Sequence, residues 1–247
     1  MNRKNYLQRV LNKCGLTILE RPRDPFTDMS QLLSSHSIHG IIDGGAYHGS
    51  VSKLFSSFFP NAIIYAFEPL KESFVILEQN VKDSSAIRPV NLGLSSTSGK
   101  RTLYVTEQLY CSSLAPRNVC GEKYYPEATR PHHTENIEVV TIDEWTRSQG
   151  IKDIDIIKLD VQGHELEALK GAQNILQRSN VKLICTEIEF VELYKNNCLF
   201  FEVEGFLRNY AFQLYHLYDL QSGEADGQLI YGDAIFIRRA KGERAVM

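Results

Sequence analysis

The feature that most constrains this chain is a regular exchange between two periodicities. Short apolar runs that suit strands buried on both faces alternate with segments carrying apolar residues at helical spacing. GIIDGG (40–45) is the first run, and residues 49–58 follow as a helix with Val51, Leu54, Phe55 and Phe58 on one side. NAIIYAFEP (61–69) and a helix over 70–81, with Phe74, Leu77 and Val81 on one face, form the second unit. AIRPVNLGL (86–94) reads as a third strand, weakened by Pro89. IDIIKLD (154–160), a helix over 165–177 with Leu166, Leu169 and Leu176, and VKLICTEIE (181–189) resume the pattern. Strands of this kind must be covered on both faces by helices, which implies a parallel, doubly wound α/β sheet.

The C-terminal part breaks the rule. Residues 200–210 read as a helix, but FQLYHLY (212–218) and GDAIFIRR (232–239) are joined only by turn-forming residues, which predicts an antiparallel hairpin. The expected architecture is a Rossmann-like, seven-stranded, mostly parallel sheet closed by that hairpin, with helices on both faces. Regularity also lapses at about 95–153, read as an insertion. It holds two strand-like segments, RTLYVTE (101–107) and ENIEVVTIDEW (135–145), around a stretch rich in Pro, Gly and polar residues. Residues 1–35 read as an N-terminal helical extension, with Leu7, Val10, Leu11 and Leu16 on one side, and 36–247 as a single domain. The extension and the tyrosine-rich insertion are the surfaces on which a homo-oligomer would form.

Charge and cysteine content exclude several classes. With 27 basic against 30 acidic residues the net charge is −3, so no polyanion-binding surface, and no nucleic acid partner, is expected. Five cysteines, an odd number without C-x-x-C spacing, suit neither a disulfide framework nor a zinc site and fit reduced thiols in a cytoplasmic protein. No apolar run is long enough for a membrane span.

In open α/β sheets ligands bind at the carboxyl ends of strands, near the switch in strand order. DGGAYHGS (43–50) lies at such an end: Gly44 and Gly45 let a ligand approach the backbone, and Gly49 and Ser50 open a helix whose N–H groups face it. The pattern is D-G-G-x-x-x-G rather than G-x-G-x-x-G. Asp43 would repel a pyrophosphate there, whereas S-adenosylmethionine, with its ammonium and sulfonium, suits an acidic neighbour. Glu68, closing the second strand, can accept from both ribose hydroxyls. The lesser alternative is that both carboxylates merely cap the helices that follow.

IIKLDVQGHELEAL (156–169) crowds Lys158, Asp160, His164 and Glu165 at another strand end. Lys158 and Asp160 point to one face and would pair there, because an unpaired buried charge is costly. His164 and Asp160 are candidate bases for deprotonating an acceptor, His48 a more remote one, and Glu165 suits the first turn of a helix.

The order D-G-G-A-x-x-G, F-E-P, N-L-G-L-S, T-I-D-E-W and I-K-L-D-V-x-G-x-E-x-x-A-L-K-G-A resembles the FkbM family of methyltransferases across roughly residues 38–190. The resemblance implies a class I methyltransferase fold, S-adenosyl-L-methionine as cofactor, and most often O-methylation of a hydroxyl on a sugar, glycan or secondary metabolite. Carried over by position, it implies a cofactor site of Asp43, Gly44, Gly45, Ala46, Gly49, Ser50, Glu68, Pro69, Asn91, Leu92, Gly93, Ser113 and Asp160, with Asp160, His164 and Lys158 serving the chemistry. The family usually has Glu where this chain has Gln162, so any mechanism resting on that glutamate is in doubt. A metal site is not expected; a divalent ion would have to use Asp160, Glu187 and Glu189. Two other readings stay open: an NADP-dependent short-chain-type reductase, disfavoured by the glycine spacing, and a non-catalytic S-adenosylmethionine-binding member, kept open by Gln162.

Overall fold

A computed structural model describes residues 23–178 and 180–239, so the proposed helix over Leu7 to Leu16 lies outside the described residues. Helix α1 (Pro25–Leu32) is capped by Asp24, whose carboxylate accepts from the Thr27 N–H, and it buries Met29. The alternating units then follow as β1 (Gly40–Gly44), α2 (Ser50–Phe58), β2 (Ile63–Phe67), α3 (Lys71–Val81) and β3 (Ile87–Val90). After the insertion come β7 (Ile156–Leu159), β8 (Leu183–Glu189), α8 (Phe200–Arg208), β9 (Phe212–Ser222) and β10 (Leu229–Arg238).

The main sheet has seven strands in the order β3-β2-β1-β7-β8-β10-β9. Neighbouring pairs are parallel from β3 to β8, and β10 runs antiparallel to both β8 and β9. The chain builds outward from β1 to β3 and then returns to lay β7 on the other side of β1. That reversal opens a crevice at the carboxyl ends of β1 and β7. Two apolar clusters cover the sheet, one around Phe67, Trp145, Leu169 and Phe236, the other around Phe55, Leu77, Ile156 and Ile235.

Three sequence expectations change. The third strand divides at Asn91: β3 stays on the main sheet as its edge, where Pro89 lacks only a donor that an edge can spare. The remainder, β4 (Gly93–Leu94), joins a separate three-stranded sheet, ordered β4-β6-β5, with β5 (Gly99–Thr106) and β6 (Pro131–Val140). The end of ENIEVVTIDEW is not strand, because the Thr141 side chain caps the Glu144 N–H and starts α5 (Ile142–Ser148). The helix expected over 165–177 is two short ones, α6 (Glu165–Lys170) and α7 (Gln173–Gln177). Between them the Gly171 carbonyl accepts from Asp143 N–H, and the Asp143 carboxylate accepts from the N–H groups of Asn174 and Ile175, giving the second helix its own start. The insertion also contains a short 3-10 turn (Leu109–Cys111) and α4 (Val119–Tyr124).

Candidate active site

A cavity of about 520 Å³ occupies the crevice. Its floor comes from β1, β2 and β7, through Gly45, Glu68 and Asp160; the insertion closes it with Leu103, Leu109, Tyr110 and Tyr125; and Glu187 and Asp233 of β8 and β10 form the far wall. The carboxyl ends of the central strands are therefore roofed by the inserted three-stranded sheet.

At the β2 end, Glu68 is 7% exposed, and its carboxylate accepts from the N–H of Tyr47 (2.9 Å) and of Leu70 (2.9 Å). Burial raises its pKa to about 7; the two N–H donors act in the opposite direction. Two N–H bonds do not exhaust a carboxylate, which can accept from a ligand as well. Asn91 fixes this turn, its amide donating to the carbonyls of Glu68 (2.9 Å) and Pro69 (3.0 Å). Leu92, Gly93 and Leu94 add an apolar wall that suits a flat base. Tyr47 adopts the left-handed backbone region (φ 49°), which is sparsely populated for a residue with a side chain.

Asp43 is fully buried beneath this surface and does not line the cavity. It accepts from Ser52 Oγ at 2.5 Å, and Lys158 Nζ lies 3.5 Å from it. Lys158 Nζ is also 3.5 Å from Asp160 Oδ2, so one buried ammonium joins the two strand ends. Burial by itself would lower the Lys158 pKa; the carboxylates of Asp160 and Asp43 overcome that and raise it.

The other end is organised by Gln162, itself in the left-handed region (φ 55°). Its Nε2 donates to Asp160 Oδ1 (2.8 Å) and Glu187 Oε2 (3.0 Å), and its Oε1 accepts from Tyr194 Oη (2.8 Å). The Ser113 hydroxyl, 1% exposed, donates to the Gln162 carbonyl at 2.6 Å and so fastens the insertion to this loop. Gly163, with φ 85°, turns the chain into α6, and buried Glu165 accepts from the Val161 N–H at 2.8 Å. Burial, followed by the charge of Asp160, raises Glu187 well above the ordinary carboxyl range, and burial raises Glu189 similarly.

The structure thus brings Gly45, Glu68, Pro69, Leu92, Gly93 and Asp160 onto one cavity wall. It does not bring all expected residues there. Gly44, Ala46, Gly49 and Ser50 shape the loop from behind, and Asn91 and Ser113 act on backbone carbonyls next to the cavity. The expectation for His164 needs correction: as the residue preceding α6 it turns away, its Nε2 3.0 Å from Ser95 Oγ, and burial lowers its pKa. Lys158 is a buried counter-ion rather than a group facing the cavity. His48 stacks on Tyr47 with ring centroids 3.6 Å apart, and His132 and His133 line a separate surface cleft. Among the described residues no group of His, Cys, Asp or Glu is arranged to hold a metal ion, and no helix is long and apolar enough to cross a membrane.

Glu187 enters the sequence reading only as a conceivable metal ligand, and Asp233 does not enter it. The sequence signal for Glu187 was a carboxylate ending a buried strand. Asp233 had none, since its position depends on β10 pairing with β8, which sets it opposite Glu187.

A family model described as the methyltransferase FkbM domain matches residues 43–214. The chain is 31% identical over 155 residues to methyltransferase sdnD of Sordaria araneosa, covering 53% of this chain and 59% of the relative. It is 31% identical over 124 residues to the hexuronic acid methyltransferase AglP of Haloferax volcanii, covering 50% and 46%. It is 25% identical over 163 residues to the 2-O-methyltransferase NoeI of Sinorhizobium fredii, covering 63% and 65%. The matches thus span between about half and two thirds of each relative's length.

Proposed function

The chain belongs to the FkbM methyltransferase family, and from that premise we propose that it moves a methyl group from S-adenosyl-L-methionine to a hydroxyl of a sugar, glycan or secondary metabolite. The observation that carries this reading is the cavity at the strand-order switch, with Glu68 at one end and the Asp160–Gln162–Glu187 triad at the other. Two of its relatives are named for acting on a hexuronic acid and for 2-O-methylation, which supports a sugar-type acceptor. Family membership leaves the reductase reading without support.

The bound cofactor supplies an already activated methyl group on a positively charged sulfur. The chain's own residues hold, align and dry the reactants. With the cofactor bound, Glu68 would accept from the ribose hydroxyls, Leu92 to Leu94 would pack against the adenine, and Asp160 would face the sulfonium charge. Alignment with exclusion of water is the larger part of such catalysis. An attacking hydroxyl must also lose its proton. We assign that proton to the Asp160 and Glu187 carboxyls, which both line the cavity and are held side by side by the Gln162 amide. His164, bonded to Ser95 and away from the cavity lining, is not needed for this assignment. A cavity of about 520 Å³ under a roof suits a single sugar or ring system rather than a nucleic acid strand, and the free cysteines suit the cytoplasm.

Calorimetry with S-adenosylhomocysteine, together with mass-spectrometric detection of a methylated acceptor, tests the proposal. Binding with NADPH but not with S-adenosylhomocysteine would overturn it. Cofactor binding without product over a broad panel of hydroxyl acceptors would favour a non-catalytic member, the reading that Gln162 keeps open.

A further inference from the structure

Tyr194 belongs to the loop between β8 and α8, yet the insertion holds it in place. On either side of it, the Asn118 N–H donates to the Leu193 carbonyl (2.9 Å) and the Lys195 N–H donates to the Pro116 carbonyl (2.8 Å). Its ring packs on the turn that follows Gln162: a Cβ added at Gly163 would come 3.0 Å from Tyr194 Cδ2. The residue is 3% exposed, and its hydroxyl reaches two oxygens, Gln162 Oε1 at 2.8 Å and the Cys111 carbonyl at 3.0 Å. A phenol has one proton, so it donates to one of the two at a time, and the shorter contact is to Gln162.

That proton decides how the amide stands. A carboxamide has nearly the same shape either way round, and its partners alone distinguish oxygen from nitrogen. Two ionised carboxylates would draw Nε2 toward them without help. Burial, however, raises Glu187 well above the ordinary carboxyl range, and a protonated Glu187 can donate to an amide oxygen instead. The carboxyls then no longer dictate the sense of the amide. Among the described residues Tyr194 supplies the donor to Oε1, and burial also raises its own pKa, which keeps that donor protonated. Ser113 fixes the backbone of Gln162, through its carbonyl; Tyr194 fixes the side chain.

We propose that Tyr194 is a positioning residue for methyl transfer: its hydroxyl holds Gln162 Oε1 toward itself, so that Nε2 faces Asp160 and Glu187 and keeps both carboxyls side by side at the cavity. The role is carried through Gln162, not by contact with the reacting atoms. It rests on the methyltransferase reading above for the use made of the carboxyls, and deepens it.

The expected sign of a pH effect follows. Donors from Nε2 favour the ionised carboxyl, so an amide free to turn over disfavours it and raises the titration of Glu187. The titratable neighbours of Glu187 are Asp160, with its partner Lys158, at the end of β7, Glu165 of α6, Glu189 on its own strand, Asp233 and Tyr231 of β10, and Cys111 and Tyr125 of the insertion. All of them are retained in Tyr194→Phe, which removes the hydroxyl and keeps the ring.

The test uses the full chain labelled with carbon-13 and reads the Cδ signals of Gln162 and Glu187, assigned by their loss in Gln162→Leu and Glu187→Gln. In Tyr194→Phe the Gln162 signal is expected to move upfield, as a carbonyl carbon does when its oxygen loses a donor. The Glu187 titration midpoint is expected to rise by at least about half a pH unit. S-adenosylhomocysteine affinity should stay within about threefold. Arg117→Ala is the control for a merely structural role. It loosens the insertion by removing bonds to Pro126 and Thr129 without touching Gln162, so it should lower unfolding stability and leave both signals in place. Replacing the Tyr194 phenol by its ring-fluorinated analogue, a stronger donor of nearly the same shape, should move the Gln162 signal the opposite way, and this reading does not depend on the folding of Tyr194→Phe. Unmoved signals with either Tyr194 replacement, or an equal movement in Arg117→Ala, overturn the proposal. Failure of S-adenosylhomocysteine to bind the wild-type chain is a different result: it removes the methyltransferase reading, while the two signals still report whether Tyr194 sets the amide.

Discussion

The side-chain amide of Gln162 donates to Asp160 Oδ1 at 2.8 Å, and the same nitrogen lies 3.0 Å from Glu187 Oε2. A neutral amide thus stands between two carboxyls and gives each a donor, with Tyr194 holding its oxygen. A carboxylate in that position could give neither bond.

Gln162→Glu therefore replaces two hydrogen bonds with like-charge contacts. Each lost bond is worth about 1 kcal/mol, and repulsion adds to that, so a loss of roughly 2–3 kcal/mol in unfolding free energy is expected. Turnover should fall at least about tenfold because the Asp160–Glu187 pair loses its bridge. Cofactor affinity should stay within a few-fold, since Glu68 and the Leu92–Leu94 wall are untouched. Chemical denaturation, calorimetry and rate measurements on one preparation check the three effects, and addition of divalent cations shows whether three carboxyls restore a metal response. A large loss of cofactor binding would show that Gln162 has been placed on the wrong side of the cavity.

The alternating strands were legible because a strand buried on both faces has to be an uninterrupted apolar run, and Ile41, Ile42, Ile156 and Ile157 are all fully buried. The strand-end chemistry followed from topology, which places Gly45, Glu68 and Asp160 at one crevice. What escaped reading depends on contacts distant in the chain. His164 is the same residue whether it faces a ligand or Ser95, and only the fold of the insertion decides between them. The Glu187–Asp233 pairing depends on β10 entering the sheet beside β8 rather than at its edge. Thr141, by contrast, carried a local signal: T-x-x-E is a helix start, and it outweighs the strand-like residues before it.

Glu68 predicts a pH dependence of cofactor binding. Its folded pKa is raised from 4.5 to about 7, chiefly by burial. For such a group, stability is fully present below the unfolded value and is lost as pH rises through the folded one. Ribose hydroxyls donate best to the ionised form, so S-adenosylhomocysteine affinity should increase as pH passes through about 7, while the ligand-free protein loses stability over the window from 4.5 to about 7. Glu165, also raised to about 7 by burial, contributes to the stability trend but not to binding. Glu68→Gln should flatten the affinity profile and weaken binding about tenfold at pH 8. A wild-type affinity independent of pH between 5.5 and 8.5 would contradict this assignment.

Lys158→Met should be severe for stability rather than for specificity. It leaves Asp43, fully buried, with the Ser52 hydroxyl as its remaining partner. Removing one member of a buried ion pair costs about 3–5 kcal/mol because the survivor stays desolvated. In a chain of this size that corresponds to a drop in Tm on the order of 10 °C. Adding Asp43→Asn to Lys158→Met should recover part of the loss, since the stranded charge is removed with its partner. Thermal unfolding of the two variants against wild type decides it; equal Tm values for the single and double variants would mean that the ion pair is not what holds the strand ends together.

Gly45→Ala should abolish cofactor binding for reasons that the backbone imposes directly. Gly45 has φ 75°, a region that residues with side chains rarely adopt, and both its N–H and that of Ala46 donate to the Phe67 carbonyl. A Cβ on Gly45 would collide with the Asp160 carbonyl oxygen, which is main chain and cannot rotate aside. Accommodating alanine therefore means moving β1 away from β7 at the floor of the cavity, where Gly45 and Asp160 meet. The expected result is a loss of at least about 100-fold in S-adenosylhomocysteine affinity with a destabilisation of about 2–4 kcal/mol, from left-handed strain plus overpacking. Gly150→Ala is the control: that glycine is also left-handed (φ 67°) but has nothing within 4 Å of an added Cβ, so it should cost about 1 kcal/mol and leave binding intact. If the two variants behave alike in calorimetry, strain alone is responsible and the close approach of β1 to the Asp160 carbonyl is not required for the site.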